Sequence, residues 1–334
     1  MPPINTEFYS RHLRERAIVL SEGKILISRL SSSKQEKDIN TPVNCRGYGR
    51  IRHFRLHAYA DWSPNPLPIV PAARALGLAP DETILAQVFQ NAACNWRCWY
   101  CYVDFALLSA NLRLSHYFTP DELVDMYLHE EHPMAVLDLS GGQPDIVPEW
   151  VLWTMKSLED HGRAGQVFLW SDDNLSNRYF WTFLTREERS YVANFPNYAR
   201  VGCFKGYDST SFAFNTLAAP ELFDQQFEIY RDLLREGLDI YAYVTFTAQP
   251  HAGLDQAMGR FMDKLQSIHR NLPLRTVPLK IEIYTPTRGR IRQEQERALA
   301  FQYDVHRAWL EELNKRFSEK ECQSPICDVQ IALA

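Results

Sequence analysis

The stretch Gln90-Asn91-Ala92-Ala93-Cys94-Asn95-Trp96-Arg97-Cys98-Trp99-Tyr100-Cys101 places three cysteines within eight residues, at the spacing C-x3-C-x2-C, directly after the apolar run Thr83 to Phe89. Thiolates prefer soft metals, and cysteines clustered in this way hold iron–sulfur clusters. A cubane has four irons, so three thiolates leave one iron open, and an open iron implies chemistry. A structural zinc site is a plainer alternative, but it wants four ligands, usually in two separated pairs, and would have to recruit His116 or His53. Buried inert thiols are plainer still. Three of them in one loop after a strand argue against that reading.

Outward from this loop the chain becomes regular. Short apolar runs alternate with longer helical patterns from residue 82 onward, which predicts repeated βα units and a parallel sheet. The strands read as Thr83 to Phe89, Ala135 to Ser140, Gln166 to Trp170, Arg200 to Lys205, Ile240 to Thr247 and Leu279 to Tyr284. Thr119-Pro120-Asp121-Glu122 is a capping box with proline at the first helical position. Pro148-Glu149 and Pro220-Glu221 open two more helices, and Gly162 and Gly237 stand where C-terminal caps belong. A last amphipathic helix spans about Gln293 to Lys320. Six right-handed βα units curl toward a barrel, whose reactive residues gather at the C-terminal ends of the strands.

Before residue 80 the pattern is irregular. Ile18 to Leu30 reads as one or two strands, Ser31 to Pro42 as a polar connector and Arg50 to His57 as another short strand. Pro64, Pro66, Pro68 and Pro71 make Trp62 to Pro71 an extended wrap. The expected division is an accessory N-terminal extension over 1–80, a core barrel over 81–290, and a C-terminal helix and tail over 291–334.

The chain has 334 residues and a net charge of −5 with His neutral, and no Lys/Arg-rich run marks a nucleic-acid tail. No segment approaches the roughly 18 apolar residues that span a bilayer, and Met1 to Arg16 has no apolar signal-peptide core. These features predict a cytoplasmic protein without a membrane partner, with nucleic acid disfavoured. Seven cysteines, an odd number with three in one loop, suit metal ligation in a reducing compartment better than a disulfide framework.

The cysteine loop resembles that of the radical S-adenosylmethionine (radical SAM) superfamily, with Tyr100 just before the last cysteine. The resemblance covers about Ile84 to Pro286. It implies a partial (β/α)6 barrel with a [4Fe–4S] cluster on Cys94, Cys98 and Cys101. It further implies an open iron that chelates the amino and carboxylate groups of S-adenosylmethionine (SAM), and one-electron cleavage of SAM to methionine and a 5′-deoxyadenosyl radical.

Further positions carry the likeness. Ser140-Gly141-Gly142-Gln143-Pro144 is similar to the family's Gly-Gly-Glu-Pro motif, which meets the SAM amino group through its backbone; Gln143 stands where glutamate is usual. Ser171-Asp172-Asp173-Asn174 resembles the ribose motif, with Ser171 and Asn174 the preferred contacts and Asp172 next. Taken alone, the same residues would serve equally well as a helix cap. Lys205, ending the otherwise apolar run Val201 to Phe204, resembles the SAM-carboxylate lysine of the activating-enzyme branch; pairing with Asp208 is the alternative. Glu282 and Arg288, at the end of the sixth strand, are weaker candidates for facing a substrate.

The implied activity is hydrogen abstraction from an unidentified substrate, whether a small molecule, a peptide or a partner protein such as a glycyl-radical enzyme, with a reductant such as flavodoxin or ferredoxin. The rival is a non-catalytic iron–sulfur electron carrier or redox sensor, which would want a fourth cysteine and no SAM pocket. Cys45, Cys203, Cys322 and Cys327 remain; buried free thiols are the default for them, and a second cluster the alternative.

Overall fold

The computed structural model describes residues 3–79 and 81–331; Met1, Pro2, Pro80 and residues 332–334, at the edges of the expected segments, lie outside them. Ten strands form two sheets. The small antiparallel sheet joins β1 (Ile18–Val19), β2 (Lys24–Ser28) and β5 (Ser115–Phe118). The large one contains β3 (Gly49–Arg55), β4 (Thr83–Phe89), β6 (Val136–Leu139), β7 (Phe168–Asp173), β8 (Tyr198–Phe204), β9 (Ile240–Thr245) and β10 (Thr276–Leu279), in the order β10-β9-β8-β7-β6-β4-β3. Every neighbouring pair is parallel except β3 with β4. The fold is α/β, with six parallel strands in chain order and helices between them, the partial barrel expected.

Parallel strands buried on both faces read as nearly continuous apolar runs. Here Leu137, Leu139, Leu169, Phe204, Ala242 and Val244 pack beneath the helices. The alternate residues Val136, Phe168, Trp170, Ala199, Val201, Cys203, Tyr241, Tyr243 and Val277 form a second cluster on the concave face. A flat seven-stranded sheet would hold its outer strands roughly 29 Å apart, at about 4.8 Å per step. Instead Arg50 of β3 donates to the Tyr102 hydroxyl at 3.0 Å, and the Tyr102 ring lies 6.2 Å from that of Tyr284, just beyond β10. The sheet is therefore curled into a half-barrel.

Four elements depart most from the sequence reading. The third strand continues past Trp170 to Asp173. The sixth is Thr276–Leu279, and Leu279 to Tyr284 is largely not strand: the carboxamide of Gln302 takes the N–H and C=O of Ile281, so the chain peels away from β9. The proline-rich wrap ends in a helix, Ile69–Leu76, with Pro71 in its first turn, where a missing N–H costs nothing. The long C-terminal helix stops at Arg316, and a separate short helix, Glu319–Cys322, covers the expected Lys320.

Residues before 80 are fastened to the barrel. β3 pairs with β4 along its whole length. Across the open side, Tyr59 donates to Glu282 at 2.7 Å, Trp62 Nε1 to the Pro278 carbonyl at 3.0 Å, and Lys280 meets Asp61 at 2.7 Å. Asp38 accepts from both N–H and hydroxyl of Thr285. Among the described residues, no helix is long and apolar enough to cross a membrane.

Candidate active site

All six parallel strands end at one edge, and the loop Cys94 to Cys101 leaves the end of β4 there. Its backbone is clamped from several sides. Arg97 donates to the carbonyls of Cys94 at 2.6 Å and Trp96 at 2.9 Å, and reaches Ser109 and Tyr9 with its other nitrogen. Arg290 donates to the carbonyls of Cys101 and Val103 at 2.6 and 2.8 Å. The helix Thr6–Ala17 supports the loop from below: Trp96 donates to Thr6 at 3.1 Å, and Asn95 to Ser10 at 2.8 Å. Trp99 donates to Asn215 at 3.1 Å, while Trp99 and Tyr100 pack on Ala298 and Leu299 of the long C-terminal helix.

The three sulfurs are half-buried. Burial pushes the Cys98 thiol up to about 12, against the pull of Lys205 and with Cys94 and Cys101 adding to the rise; Cys101 is raised as well, first by burial and then by Cys94. The thiols thus lie within electrostatic reach of one another, and each must lose its proton to ligate.

The next strand end docks against this loop. Gly141 and Gly142 both have φ near +80°, at +82° and +81°. A Cβ on Gly142 would stand 2.5 Å from the Asn91 carbonyl oxygen and 2.8 Å from that of Ala93; one on Gly141 would meet the Gln90 side chain at 2.7 Å. Glycine is required because the chain itself, in the two residues leading to Cys94, passes this close. Gln143 donates its backbone N–H to Ala93 at 2.7 Å, and its carbonyl accepts from Asn91 at 3.0 Å. Its carboxamide is engaged at both ends, donating to Asp173 at 2.7 Å and accepting from the Asn174 N–H at 2.8 Å. Gln143 therefore braces two strand ends.

Because β7 continues to Asp173, Ser171 and Asp172 face opposite ways. Ser171 is fully buried on the helix side, 2.8 Å from the Tyr198 hydroxyl. Asp172 faces the concave side, among Arg52, Lys205 and Arg50, and burial raises its carboxyl above the usual range. Asn174, just past the strand, donates to Asn95 at 3.0 Å and lies 3.9 Å from Cys94 Sγ, with its own buried oxygen unpartnered. Tyr100 reaches Thr245 at the end of β9, at 3.1 Å.

Lys205 lies on the same side as Cys203, among Cys203, Tyr100, Cys98 and Asp172. Asp208 is occupied as a helix cap, accepting from the Ser211 N–H at 2.7 Å, so the Lys205–Asp208 pair is not formed. Glu282 accepts from Tyr59, and Arg288 is exposed.

Several residues escaped the sequence reading. Gln226, fully buried, donates to the carbonyls of Asn174 and Cys203, both at 3.0 Å, and accepts from the Lys205 N–H at 3.3 Å. Asp138 sits on the concave face, 3.5 Å from Arg52 and accepting from Ser140 at 2.9 Å. A carboxylate between Leu137 and Leu139 in a buried strand was a signal that could have found it.

A cubane on Cys94, Cys98 and Cys101 fits these residues: three half-buried thiols on one clamped loop, with the unpartnered buried oxygen of Asn174 near Cys94. Among the described residues no three His, Cys, Asp or Glu side chains converge as a single ion would need. His116 instead packs against Phe118 and Tyr48. The four other cysteines lie apart, with Cys45 beside Glu130, Cys203 inside the barrel, Cys327 on Tyr241 and Cys322 exposed.

No family model matches the sequence, and no curated protein does. Among solved structures, Streptococcus suis SuiB bound to S-adenosylmethionine is similar at 12% identity and a TM-score of 0.38, over 60% of this chain and 41% of that one. SuiB bound to the precursor peptide SuiA gives 11% identity and 0.37, over 54% and 36%. This chain thus spans about two-fifths of the length of SuiB at most.

Proposed function

We propose that this chain is a radical SAM enzyme. The observation that carries the reading is the convergence, at one edge of a six-stranded parallel half-barrel, of the Cys94–Cys98–Cys101 loop with the Gly142–Gln143 turn, Asn174 and Lys205 from the next three strand ends. A [4Fe–4S] cluster on the three cysteines would supply one-electron cleavage of bound SAM to a 5′-deoxyadenosyl radical, which takes a hydrogen atom from the substrate.

The chain's own residues have separate tasks. Arg97 and Arg290 fix the loop so that the three sulfurs keep one arrangement. Lys205 offers an ammonium to the SAM carboxylate, the feature shared with the activating-enzyme branch. Asp172 and Asn174 offer acceptors and a donor for the ribose hydroxyls. Trp99, Tyr100 and the long C-terminal helix exclude water from the edge, as a reactive radical requires. The substrate is a small molecule, a peptide or a partner protein, and the electron comes from a low-potential carrier such as flavodoxin or ferredoxin.

The test is anaerobic reconstitution with iron and sulfide, then dithionite and SAM, with chromatographic assay for 5′-deoxyadenosine. The expected result is cluster-dependent 5′-deoxyadenosine that Cys98→Ala abolishes. A cluster that forms but never cleaves SAM would overturn the reading in favour of an electron carrier or redox sensor.

A further inference from the structure

Below the cysteine edge, the concave face carries charges that the proposed chemistry leaves unused. β3 turns Arg50 and Arg52 inward with Phe54, and β6 turns Asp138 inward with Val136, two residues apart in each case as strand alternation requires. Val88 is the register partner of both Arg50 and Asp138, which places them at one level. That level is one alternation below Gln90 and the strand ends.

These groups are poorly matched to one another. The contact between Arg52 and Asp138 is a single one of 3.5 Å. Arg50 is bonded only through one terminal nitrogen, to Tyr102, and its Nε has no partner. Asp138 Oδ1 has none either, although Asp138 is fully buried and Arg50 is 7% exposed. Arg14, a buried arginine that ties a helix to the barrel, is matched more fully. Arg14 grips Glu149 with two nitrogens and the Ile146 carbonyl with one of them. Arg200 bonds Asp145 at 2.7 Å and Tyr198 at 3.0 Å, with its other terminal nitrogen unpartnered, so what sets Arg50 apart is that it meets no carboxylate within hydrogen-bond distance. Leaving buried guanidinium and carboxyl groups half-satisfied is costly unless a ligand completes them.

We propose that this face binds a ligand bearing a carboxylate and an N–H donor, the carboxylate held by Arg50 and Arg52 and the donor by Asp138: an amino acid or the C-terminal end of a peptide. A ligand carrying both groups completes Asp138 and the arginines together, beside Asp172, which faces the same two guanidinium groups. Arg52 keeps 30% of its side chain exposed and gives the route of entry. Tyr102, Tyr243 and Tyr284 stand around the guanidinium. That this ligand is the substrate rests on the radical SAM reading; that it binds does not.

Isothermal titration of the full chain with L-leucine and with the tripeptide Ala-Ala-Leu tests this, leucinamide lacking the carboxylate and 4-methylpentanoate lacking the donor. At least one of the first two binds, and the tighter identifies the source. Each of the latter two binds about tenfold more weakly or worse, and R52Q and D138N each cost about tenfold, with partial recovery in R52K. R186Q, at an exposed helix position, changes nothing. Melting curves check that each variant is folded. No binding by either probe, equal binding of leucinamide or 4-methylpentanoate, or an R52Q protein with unchanged affinity would overturn the proposal. Such a failure alongside normal 5′-deoxyadenosine formation would leave the radical reading standing.

Discussion

Gln143 donates from its carboxamide to Asp173 Oδ1 at 2.7 Å, so the side chain standing where the resembling motif has glutamate is a hydrogen-bond donor to a buried carboxylate. A glutamate here would face Asp173 as a second negative charge and lose that bond. Q143E is expected to destabilise the fold by about 3 kcal/mol near neutral pH. Burial and Asp173 would raise the new carboxyl in the folded state, so the folded protein would hold its proton more tightly than the unfolded chain. The penalty is therefore small near pH 5 and grows toward pH 8. Urea unfolding at the two pH values checks it; a loss independent of pH would rule out the electrostatic cause.

Gly142 and Gly162 both adopt left-handed backbone, but only Gly142 is crowded by other backbone. Gly162→Ala meets open space and is expected to cost about 1 kcal/mol, the conformational penalty alone. Gly142→Ala must also move the Asn91 and Ala93 carbonyls, which lead into Cys94, and should cost about 3 kcal/mol or more and lower iron uptake on reconstitution. Equal stability losses in the two variants would mean that the turn can give way without disturbing the loop.

Much of this was legible in the sequence because its signals are local. The capping box at Thr119 forms as written, and the proline starts and glycine stops fall within a residue or two of the helix ends. The first strand, Thr83–Phe89, has the bounds its apolar run suggests. What failed was parity. Ser171 and Asn174 were preferred together, yet extending the strand to Asp173 sends Ser171 to the helices and leaves Asp172 on the concave side. Nor could any local pattern show that Arg50 and Arg52 enter the half-barrel, because that depends on β3 pairing with β4, a contact between segments some thirty residues apart.

Asp138 gives the protein a pH dependence of defined sign. Burial, with Asp172 adding to it, pushes its carboxyl up to about 7, against the opposing pull of Arg52 and the Ser140 hydroxyl. A folded-state value above the unfolded one means that the native state binds more protons between the two. Its contribution is fully present below the unfolded value, near 3.8, and is lost as pH rises toward 7. Asp138→Asn, which cannot titrate, should flatten the fall in stability across this window. Unfolding free energies measured at several pH values in both proteins test it, and parallel curves would show that Asp138 titrates normally.

Ser171→Ala and Asp172→Asn separate the two faces of β7. The Ser171 hydroxyl is bonded to Tyr198, whose oxygen also accepts from Arg200 at 3.0 Å, so its removal should cost about 1 kcal/mol of stability and leave SAM affinity unchanged. Asp172 has a buried oxygen without a partner, and its burial opposes its charge more than Arg52, Lys205 and Arg50 favour it. Asp172→Asn should therefore hold or raise stability while weakening SAM binding about tenfold, since a carboxamide presents one acceptor where the carboxylate presents two. Equilibrium binding of SAM to the reconstituted variants, alongside their unfolding curves, reads both quantities. If Ser171→Ala weakened SAM as much as Asp172→Asn did, the ribose would have to sit on the helix side of the strand, and the concave face would lose its place in the site.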